Sequence, residues 1–292
     1  MKHAAEPSPT SKGGAGGPLP AGLRSRDLPR GLGLAVIGHG TANATGAAET
    51  AEIAATIGRL LPDVPVELGY LEVIEPSIDI AVERLAARGC REILALPLLL
   101  FAAGHAKRDV PAALTAAACR RGLAVRQAAP LGLHPEIVTL MRQRYLQTVA
   151  DLPPAAGGEA VLVVGRGSSD PTAAAQLWAV IRKSFATVRR LATAPVRIGF
   201  VAAARPTLDE AIAELSRPQP GRPGIGRVVV QPHLLFRGHV ESQIADRLHQ
   251  ARAAHPEVEW LQVPRLGAAA EVARALIDRG IEAVRDNQPG RS

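Results

Sequence analysis

The chain has 292 residues, which fits one large or two small domains. Apolar residues make up 47% and charged residues 21%, values near the average of globular proteins that argue against wholesale disorder, a collagen or a coiled coil. The formal net charge of +7 is spread along the chain, which suits an acidic ligand and is too modest to require nucleic acid. No uninterrupted apolar run is long enough to predict a transmembrane helix. Two cysteines, Cys90 and Cys119, are expected to be buried thiols in a reducing, cytoplasmic compartment.

Residues 1–30 are rich in Pro, Gly, Ser and Ala and lack periodicity, so they are predicted to be a disordered tail. Strands and helices then alternate through a first lobe, 31–150. Strands are predicted at 32–38, 65–72, 91–100 and 123–130, and helices at 47–61, 76–88, 107–121 and 134–150. Four such units are typical of an open parallel sheet wound on both faces.

Residues 151–158 contain Pro-Pro and Gly-Gly and predict a linker. The alternation restarts in a second lobe, 159–285, followed by a tail, 286–292. Strands are predicted at 159–165, 194–201, 227–236 and 258–264, helices at 171–190, 206–215, 239–254 and 268–285, and a Pro/Gly-rich loop at 216–226.

The two lobes are an internal repeat. Matching segments are GHGTANATGAAE (38–49) with GRGSSDPTAAAQ (165–176), 69–85 with 199–215, 97–110 with 232–244, and LGLHPEIVTLM (131–141) with LGAAAEVARAL (266–276). The predicted fold class is α/β, with two tandem Rossmann-like lobes, each a four-stranded parallel sheet flanked by helices. Such a duplication creates a cleft that suits a sizeable ligand, and it supplies its own pseudo-dimer, in keeping with a monomer.

Polar side chains follow three strands of the first lobe, where ligands of parallel sheets bind. His39 follows the first strand, Glu72 ends the second, with Glu75 close behind, and His105 follows the third. Two imidazoles and a carboxylate suit a borderline divalent ion such as Co²⁺, Fe²⁺, Ni²⁺ or Zn²⁺ and leave coordination positions open. We therefore predict that His39, Glu72 and His105 are metal ligands and catalytic groups.

The corresponding edge of the second lobe carries more positive charge. Arg166 replaces His39, Ala202 replaces Glu72, and Arg205 replaces Glu75. His239 stands at the place of His105, and His233 and Arg237 are added nearby. This pattern predicts a division of labour in which one lobe handles metal and the other offers Arg to carboxylates.

Phosphate-binding patterns are weak. The chain has no G-x-x-x-x-G-K-[ST] loop, and VGRGSSDP (164–171) lacks the third glycine of G-x-G-x-x-G because Asp170 stands there. No nucleotide is therefore expected.

Several segments resemble the sirohydrochlorin chelatases, the class II-type tetrapyrrole chelatases of cobalamin and sirohaem synthesis. They are GHGT (38–41), YLEVIEPSIDIAVERLAARG (70–89), LALPLLLFAAGHAKRDVPAAL (94–114), LGLHPEIVTLMRQRY (131–145) and GRGSSDP (165–171). The resemblance covers roughly 32–285, and its most specific part runs from Phe101 to Pro111. It implies a tetrapyrrole bound between two lobes, ATP-independent insertion of a divalent metal, and metal handling by His39, His105 and Glu72.

This reading makes the metal ion, Co²⁺ or Fe²⁺, a substrate. The ending RDNQPGRS (285–292) has no His-rich or Cys-rich segment, so no iron–sulfur cluster is expected. Candidate partners for the carboxylates of the tetrapyrrole are Lys107, Arg108, Arg166, Arg205, Arg237 and His239. Cobalt is favoured, and iron insertion, a non-catalytic tetrapyrrole or metal carrier, and a nucleic-acid binder are the alternatives. The scarcity of aromatic residues and basic stripes disfavours the last of these, and no membrane partner is expected.

Overall fold

A computed structural model describes residues 28–101, 106–217 and 224–286. The described residues form eight strands and eight α-helices that alternate along the chain, together with one short 3-10 helix, Arg189–Leu191. The strands are β1 (Leu32–Gly38), β2 (Val66–Tyr70), β3 (Glu92–Pro97), β4 (Ala124–Gln127), β5 (Gly158–Gly165), β6 (Val196–Phe200), β7 (Ile225–Pro232) and β8 (Glu259–Gln262). The helices are α1 (Ala44–Leu60), α2 (Ile78–Ala87), α3 (Ala106–Cys119), α4 (Pro135–Val149), α5 (Pro171–Phe185), α6 (Leu208–Ser216), α7 (His239–Ala254) and α8 (Ala270–Arg285).

The strands form two parallel sheets with the same topology, β2-β1-β3-β4 and β6-β5-β7-β8. All seven residues of β1 are buried because helices cover both faces of the sheet, which explains the continuous apolar run in the sequence. The predicted fold class is confirmed.

The last helix of each half packs on the sheet of the other half. Helix α8 contacts β3 and α1, and a Cβ at Gly280 would lie 2.9 Å from Leu96 Cδ2, so the absence of a side chain lets α8 lie close to the first sheet. Helix α4 lies against the second sheet, where Gln231 Nε2 donates to the carbonyl oxygen of Met141 at 2.8 Å. The lobe boundaries at 150 and 159 stay predictions. Within those boundaries, one helix of each lobe covers the sheet of the opposite lobe.

This exchange gives the two lobes a common hydrophobic core. Leu34 of β1, Val163 of β5 and Ile277 of α8 belong to one buried cluster. At its edge, Tyr145 of α4 donates its hydroxyl to Glu159 of β5 at 2.9 Å, and its ring packs edge-on against Phe185 at a centroid distance of 5.3 Å. The lobes are therefore joined by buried side chains as well as by the chain itself.

Element boundaries differ from prediction where capping or loop geometry decides them. Helix α1 begins at Ala44, earlier than predicted, because the Asn43 side chain accepts the Gly46 N–H at 3.0 Å and caps the helix. Strands β3 and β7 end at Pro97 and Pro232, short of the predicted 100 and 236. The apolar residues that follow are partly or fully buried in loops, so apolar character alone extended the predicted strands.

Two other expectations have different outcomes. Cys90 is buried as predicted, whereas Cys119 is exposed because it ends α3 on the solvent side, so that prediction was wrong. Most of the predicted tail, 1–27, and of the Pro/Gly loop, 218–223, lies outside the described residues, as do 287–292. Among the residues that the structure describes, no helix is both long and apolar enough to cross a membrane.

Candidate active site

His39 and Glu72 come together at the carboxyl ends of two neighbouring strands. Strands β1 and β2 pair up to Gly38 and Tyr70. The pairing continues beyond the sheet, because Leu71 N donates to Gly38 O at 3.0 Å and Glu72 N donates to His39 O at 3.1 Å. This backbone alignment places Nδ1 of His39 3.2 Å from Oε1 of Glu72. The two side chains are 43% and 58% exposed, so the pair is open to a ligand from solvent.

The loop that carries His39 is closely fitted to the loop that carries Glu72. Gly40 has a φ of +101°, and a Cβ on it would lie 1.9 Å from the carbonyl oxygen of Glu72. Only glycine permits both this conformation and this approach. The GHGT sequence therefore sets the position of the metal-binding candidates through its backbone as well as through its histidine.

The second lobe repeats this backbone with different side chains. Gly167 has a φ of +92°, its Cβ would lie 1.7 Å from the carbonyl oxygen of Ala202, and Ala202 N donates to Arg166 O at 2.9 Å. The positions of His39 and Glu72 are thus occupied by Arg166 and Ala202 on the same scaffold. The duplication kept the loop geometry and lost the pair of donors.

The third expected metal ligand, His105, lies outside the described residues, in the gap 102–105. No group of three His, Cys, Asp or Glu side chains with metal-binding geometry occurs within the part of the chain that is described. Of the three predicted metal ligands, the structure describes His39 and Glu72, which form a pair. Glu75, which follows Glu72, accepts the Ser77 N–H at 2.5 Å at the start of α2 and so serves the helix terminus.

The basic residues proposed to face the substrate are placed unevenly. Arg108, Arg166, Arg237 and His239 are exposed. Arg205 is also exposed but is paired with Glu210, whose carboxylate completes the cap of α6 through the Thr207 N–H. A substrate carboxylate must compete with Glu210 for Arg205. Lys107 lies in the first turn of α3, and its side chain is outside the described atoms.

His233 does not belong to the open rim where the sequence suggested it. It follows β7, is 3% exposed, and lies against the ring of Phe101 with a centroid distance of 5.5 Å. Neither ring nitrogen has a hydrogen-bond partner among the described residues. Burial lowers its pKa to about 4, so the ring is neutral at physiological pH. The equivalent residue of the first lobe is Leu98, which is buried. This apolar residue at the matching position of the repeat is the one sequence feature that indicated a buried site for His233.

Sequence reasoning also missed a group of charged side chains at the contact between lobes. Arg265, after β8, pairs with Glu49 of α1 and with Glu241 of α7. The three side chains are each about one-fifth exposed. They are far apart in sequence, so no local pattern predicts that they meet.

Comparison with known proteins places the chain in a family. The family model of CbiX matches residues 33–148 and 160–283, one match for each lobe, and the chain belongs to this family. The match to both halves agrees with the internal repeat.

Among curated proteins, both a cobaltochelatase and a ferrochelatase are similar to this chain. The sirohydrochlorin cobaltochelatase of Priestia megaterium is 25% identical over 218 residues, covering 74% of this chain and 69% of that protein. The sirohydrochlorin ferrochelatase of Bacillus subtilis (strain 168) is 29% identical over 197 residues, covering 67% of this chain and 71% of that protein. Among solved structures, SirB from Bacillus subtilis with Fe³⁺ matches with a TM-score of 0.71 and 25% identity, over 87% of this chain and 94% of that one.

Proposed function

We propose that this protein is a sirohydrochlorin chelatase that inserts a divalent metal ion, with cobalt favoured, into the tetrapyrrole without ATP. The observation that carries the proposal is the His39–Glu72 pair at the strand ends of a chelatase fold. The relatives that act on sirohydrochlorin with cobalt or iron support the substrate class.

The separation of the two donor atoms suits one shared ion. Two ligand atoms that each lie about 2.1 Å from one ion, at angles between those of an octahedron and a tetrahedron, are roughly 3.0–3.4 Å apart. The 3.2 Å between His39 Nδ1 and Glu72 Oε1 falls in this interval. The positions of the two donor atoms therefore fit a shared ion without rearrangement of either side chain.

The reaction replaces two pyrrole N–H bonds by metal–nitrogen bonds and releases two protons. His39 and Glu72, together with His105, receive the hydrated ion, displace part of its water and present it to one face of the macrocycle. An imidazole can accept a proton near neutral pH, so a histidine that gives up the ion can take up a released proton. Glu72 offsets part of the positive charge of the ion during this exchange.

The exposed cations are the proposed partners for the carboxylates of the macrocycle. Arg166 and Arg237 of the second lobe are candidates because guanidinium groups bind carboxylates through two parallel N–H donors. Lys107, Arg108, Arg205 and His239 complete the proposed set. Independence from nucleotide and from an iron–sulfur cluster, a monomeric state and a cytoplasmic location stay predictions.

The ligand types do not distinguish cobalt from iron as the metal substrate, because imidazole and carboxylate bind both ions. The choice between the two metals therefore requires a measurement. Anaerobic insertion rates of Co²⁺, Fe²⁺ and Ni²⁺ into sirohydrochlorin, followed by absorbance, are expected to be highest with Co²⁺. A higher rate with Fe²⁺ would assign the ferrochelatase alternative. No more than one metallated product per chain at long times would assign the carrier alternative.

The site itself is tested with His39→Ala and His105→Ala. Each substitution is expected to abolish insertion while leaving the fold and tetrapyrrole binding intact. The matched control is His249→Ala, which removes an exposed histidine of α7. Wild-type insertion rates in the His39 and His105 variants would end the assignment.

A further inference from the structure

The contact between lobes contains a charged cluster formed by Glu49, Arg265 and Glu241. Arg265 Nη1 lies 2.6 Å from Glu241 Oε1, and its Nη2 contacts Glu49 Oε1. The side chains are 18–20% exposed, so the charges are partly withdrawn from water. One guanidinium between two carboxylates fixes the geometry of all three groups.

Glu49 also holds the backbone of the second lobe. Its other carboxylate oxygen accepts the N–H of Arg237 at 2.9 Å. On the same peptide segment, the carbonyl oxygen of Arg237 approaches α1 so closely that a Cβ at Gly46 would lie 2.2 Å from it. The backbone of Arg237 is therefore held on both sides, while the side chains of Arg237 and His239 are exposed.

This held segment lies beside the loop of the metal pair. The point where a Cβ of Gly46 would lie is also 3.2 Å from Cγ2 of Thr41. Thr41 is two residues after His39, in the loop between β1 and α1. The backbone of Arg237 and the loop that carries His39 are thus neighbours across the boundary between the lobes.

The cluster is built on one side of the repeat only. The residues that correspond to Glu49, Arg265 and Glu241 in the other lobe are Gln176, Pro130 and Lys107, and Gly46 corresponds to Ala173. An amide, a proline and a single cation cannot reproduce a guanidinium between two carboxylates. If the cluster served only to join two similar lobes, either side of the repeat could carry it. Its restriction to the side where Arg237 lies therefore needs another explanation.

We infer that Glu49 is a positioning residue for the tetrapyrrole, holding Arg237 at the edge of the His39 loop so that its guanidinium meets a carboxylate of the macrocycle. This inference rests on the proposed function. Arg265 and Glu241 act through Glu49 by fixing its carboxylate. The inference concerns recognition of the organic substrate and not of the metal ion.

The test compares Glu49→Ala, Arg237→Ala and the double variant in the full-length protein. Binding of sirohydrochlorin without metal is measured by its absorbance or fluorescence change, and Co²⁺ binding is measured separately by calorimetry. Each single variant is expected to weaken tetrapyrrole binding about tenfold, as the loss of one charge-assisted contact does, with Co²⁺ affinity unchanged. The double variant is expected to be no weaker than Arg237→Ala, because Glu49 acts through Arg237.

Two further variants keep the test decisive. Glu52→Gln, a substitution on the exposed part of α1, is the matched control and is expected to bind both substrates like wild type. If Glu49→Ala does not fold, Gly46→Ala replaces it, because a Cβ there displaces the Arg237 carbonyl while alanine favours the helix. Gly46→Ala is expected to weaken tetrapyrrole binding to a similar extent.

Additive effects of Glu49→Ala and Arg237→Ala, or tetrapyrrole affinity within twofold of wild type in the Glu49 variant or its Gly46 replacement, would overturn the inference. Failure of the proposed function gives a different result, since wild-type protein would then bind no sirohydrochlorin or insert no metal.

Discussion

The carbonyl oxygen of Glu72 occupies space that a side chain at Gly40 would need, only 1.9 Å from the ideal Cβ position. The same relationship joins Gly167 and Ala202 in the second lobe. The two glycines therefore carry the same backbone constraint, but only Gly40 lies beside the metal-binding candidates. This duplication provides a matched pair of variants.

Gly40→Ala and Gly167→Ala are each expected to destabilise the protein by about 1–3 kcal/mol, because alanine is strained at positive φ and collides with the opposite carbonyl. Only Gly40→Ala is expected to weaken Co²⁺ binding strongly, since it displaces Glu72, whereas Gly167→Ala disturbs the loop of Arg166 and leaves the metal pair in place. Urea unfolding and calorimetric titration with Co²⁺ on both variants check the prediction. Equal losses of Co²⁺ affinity in the two variants would contradict the assignment of the metal site to the first lobe.

Removing the charge of Glu72 is expected to weaken metal binding. Glu72→Gln keeps the shape of the side chain but loses the anionic oxygen that lies 3.2 Å from His39. Loss of an outer partner of a metal ligand typically lowers metal affinity about 10- to 100-fold, and loss of the ligand oxygen of Glu72 is expected to lower it at least as much. Calorimetric titration with Co²⁺ measures this, and Glu52→Gln serves as the control. An unchanged affinity for Co²⁺ would remove Glu72 from the site.

His233 is expected to make the stability of the fold depend on pH. Its pKa is about 4 in the folded protein, because of burial, and about 6.5 when unfolded. Between these values the unfolded chain binds more protons, so stability falls as pH falls below about 6.5. The expected loss from pH 7 to pH 5 is on the order of 2 kcal/mol.

The variant His233→Leu, which introduces the residue found at the equivalent Leu98, is expected to abolish this component. Urea unfolding at both pH values measures it, with His249→Gln as the control that keeps the pH dependence. A pH dependence of the same size in His233→Leu would refute this role of the buried ring.

Glu159 is expected to be a main anchor between the exchanged helix α4 and the second sheet. Its carboxylate accepts from Tyr145 at 2.9 Å and from Arg190 at 2.8 Å, and it contacts the buried Arg227 at 3.4 Å. Burial raises the pKa of Glu159, but these hydrogen bonds outweigh burial and hold the pKa below its usual value. Its contribution to stability is therefore present above the unfolded pKa and is lost as pH falls through the folded pKa.

Glu159→Ala is expected to cost about 3 kcal/mol, because it removes the acceptor of the buried Tyr145 hydroxyl and the carboxylate that Arg190 and the buried Arg227 share. The exposed pair of Glu214 with Arg197 is the comparison, and Glu214→Ala is expected to cost less than about 1 kcal/mol. Denaturant unfolding distinguishes the two. A cost for Glu159→Ala as small as that for Glu214→Ala would show that the lobes are held by apolar packing alone.

The sequence predicted the architecture because its signals are local and repeated. Buried apolar runs such as that of β1 mark strands of a covered parallel sheet, and the matching segments of the two halves reinforce each other. The pairing of His39 with Glu72 followed from the rule that neighbouring parallel strands end at the same edge. The prediction failed for His233 because a histidine after a strand looks the same whether the loop exposes it or another lobe covers it.

The residue pattern alone was enough to predict the two parallel sheets, the repeat, and the presence of an imidazole and a carboxylate at adjoining strand ends. Three further features became visible in the folded chain: α4 and α8 each cover the sheet of the opposite lobe, His233 is buried against Phe101, and Arg265 bridges Glu49 and Glu241. The apolar faces of α4 and α8 have two similar sheets that they could cover, because the chain is duplicated, and long-range packing in the common core selects one of them. Glu49, Arg265 and Glu241 are far apart in the chain and meet only after these helices have packed, so no local pattern predicts their contact.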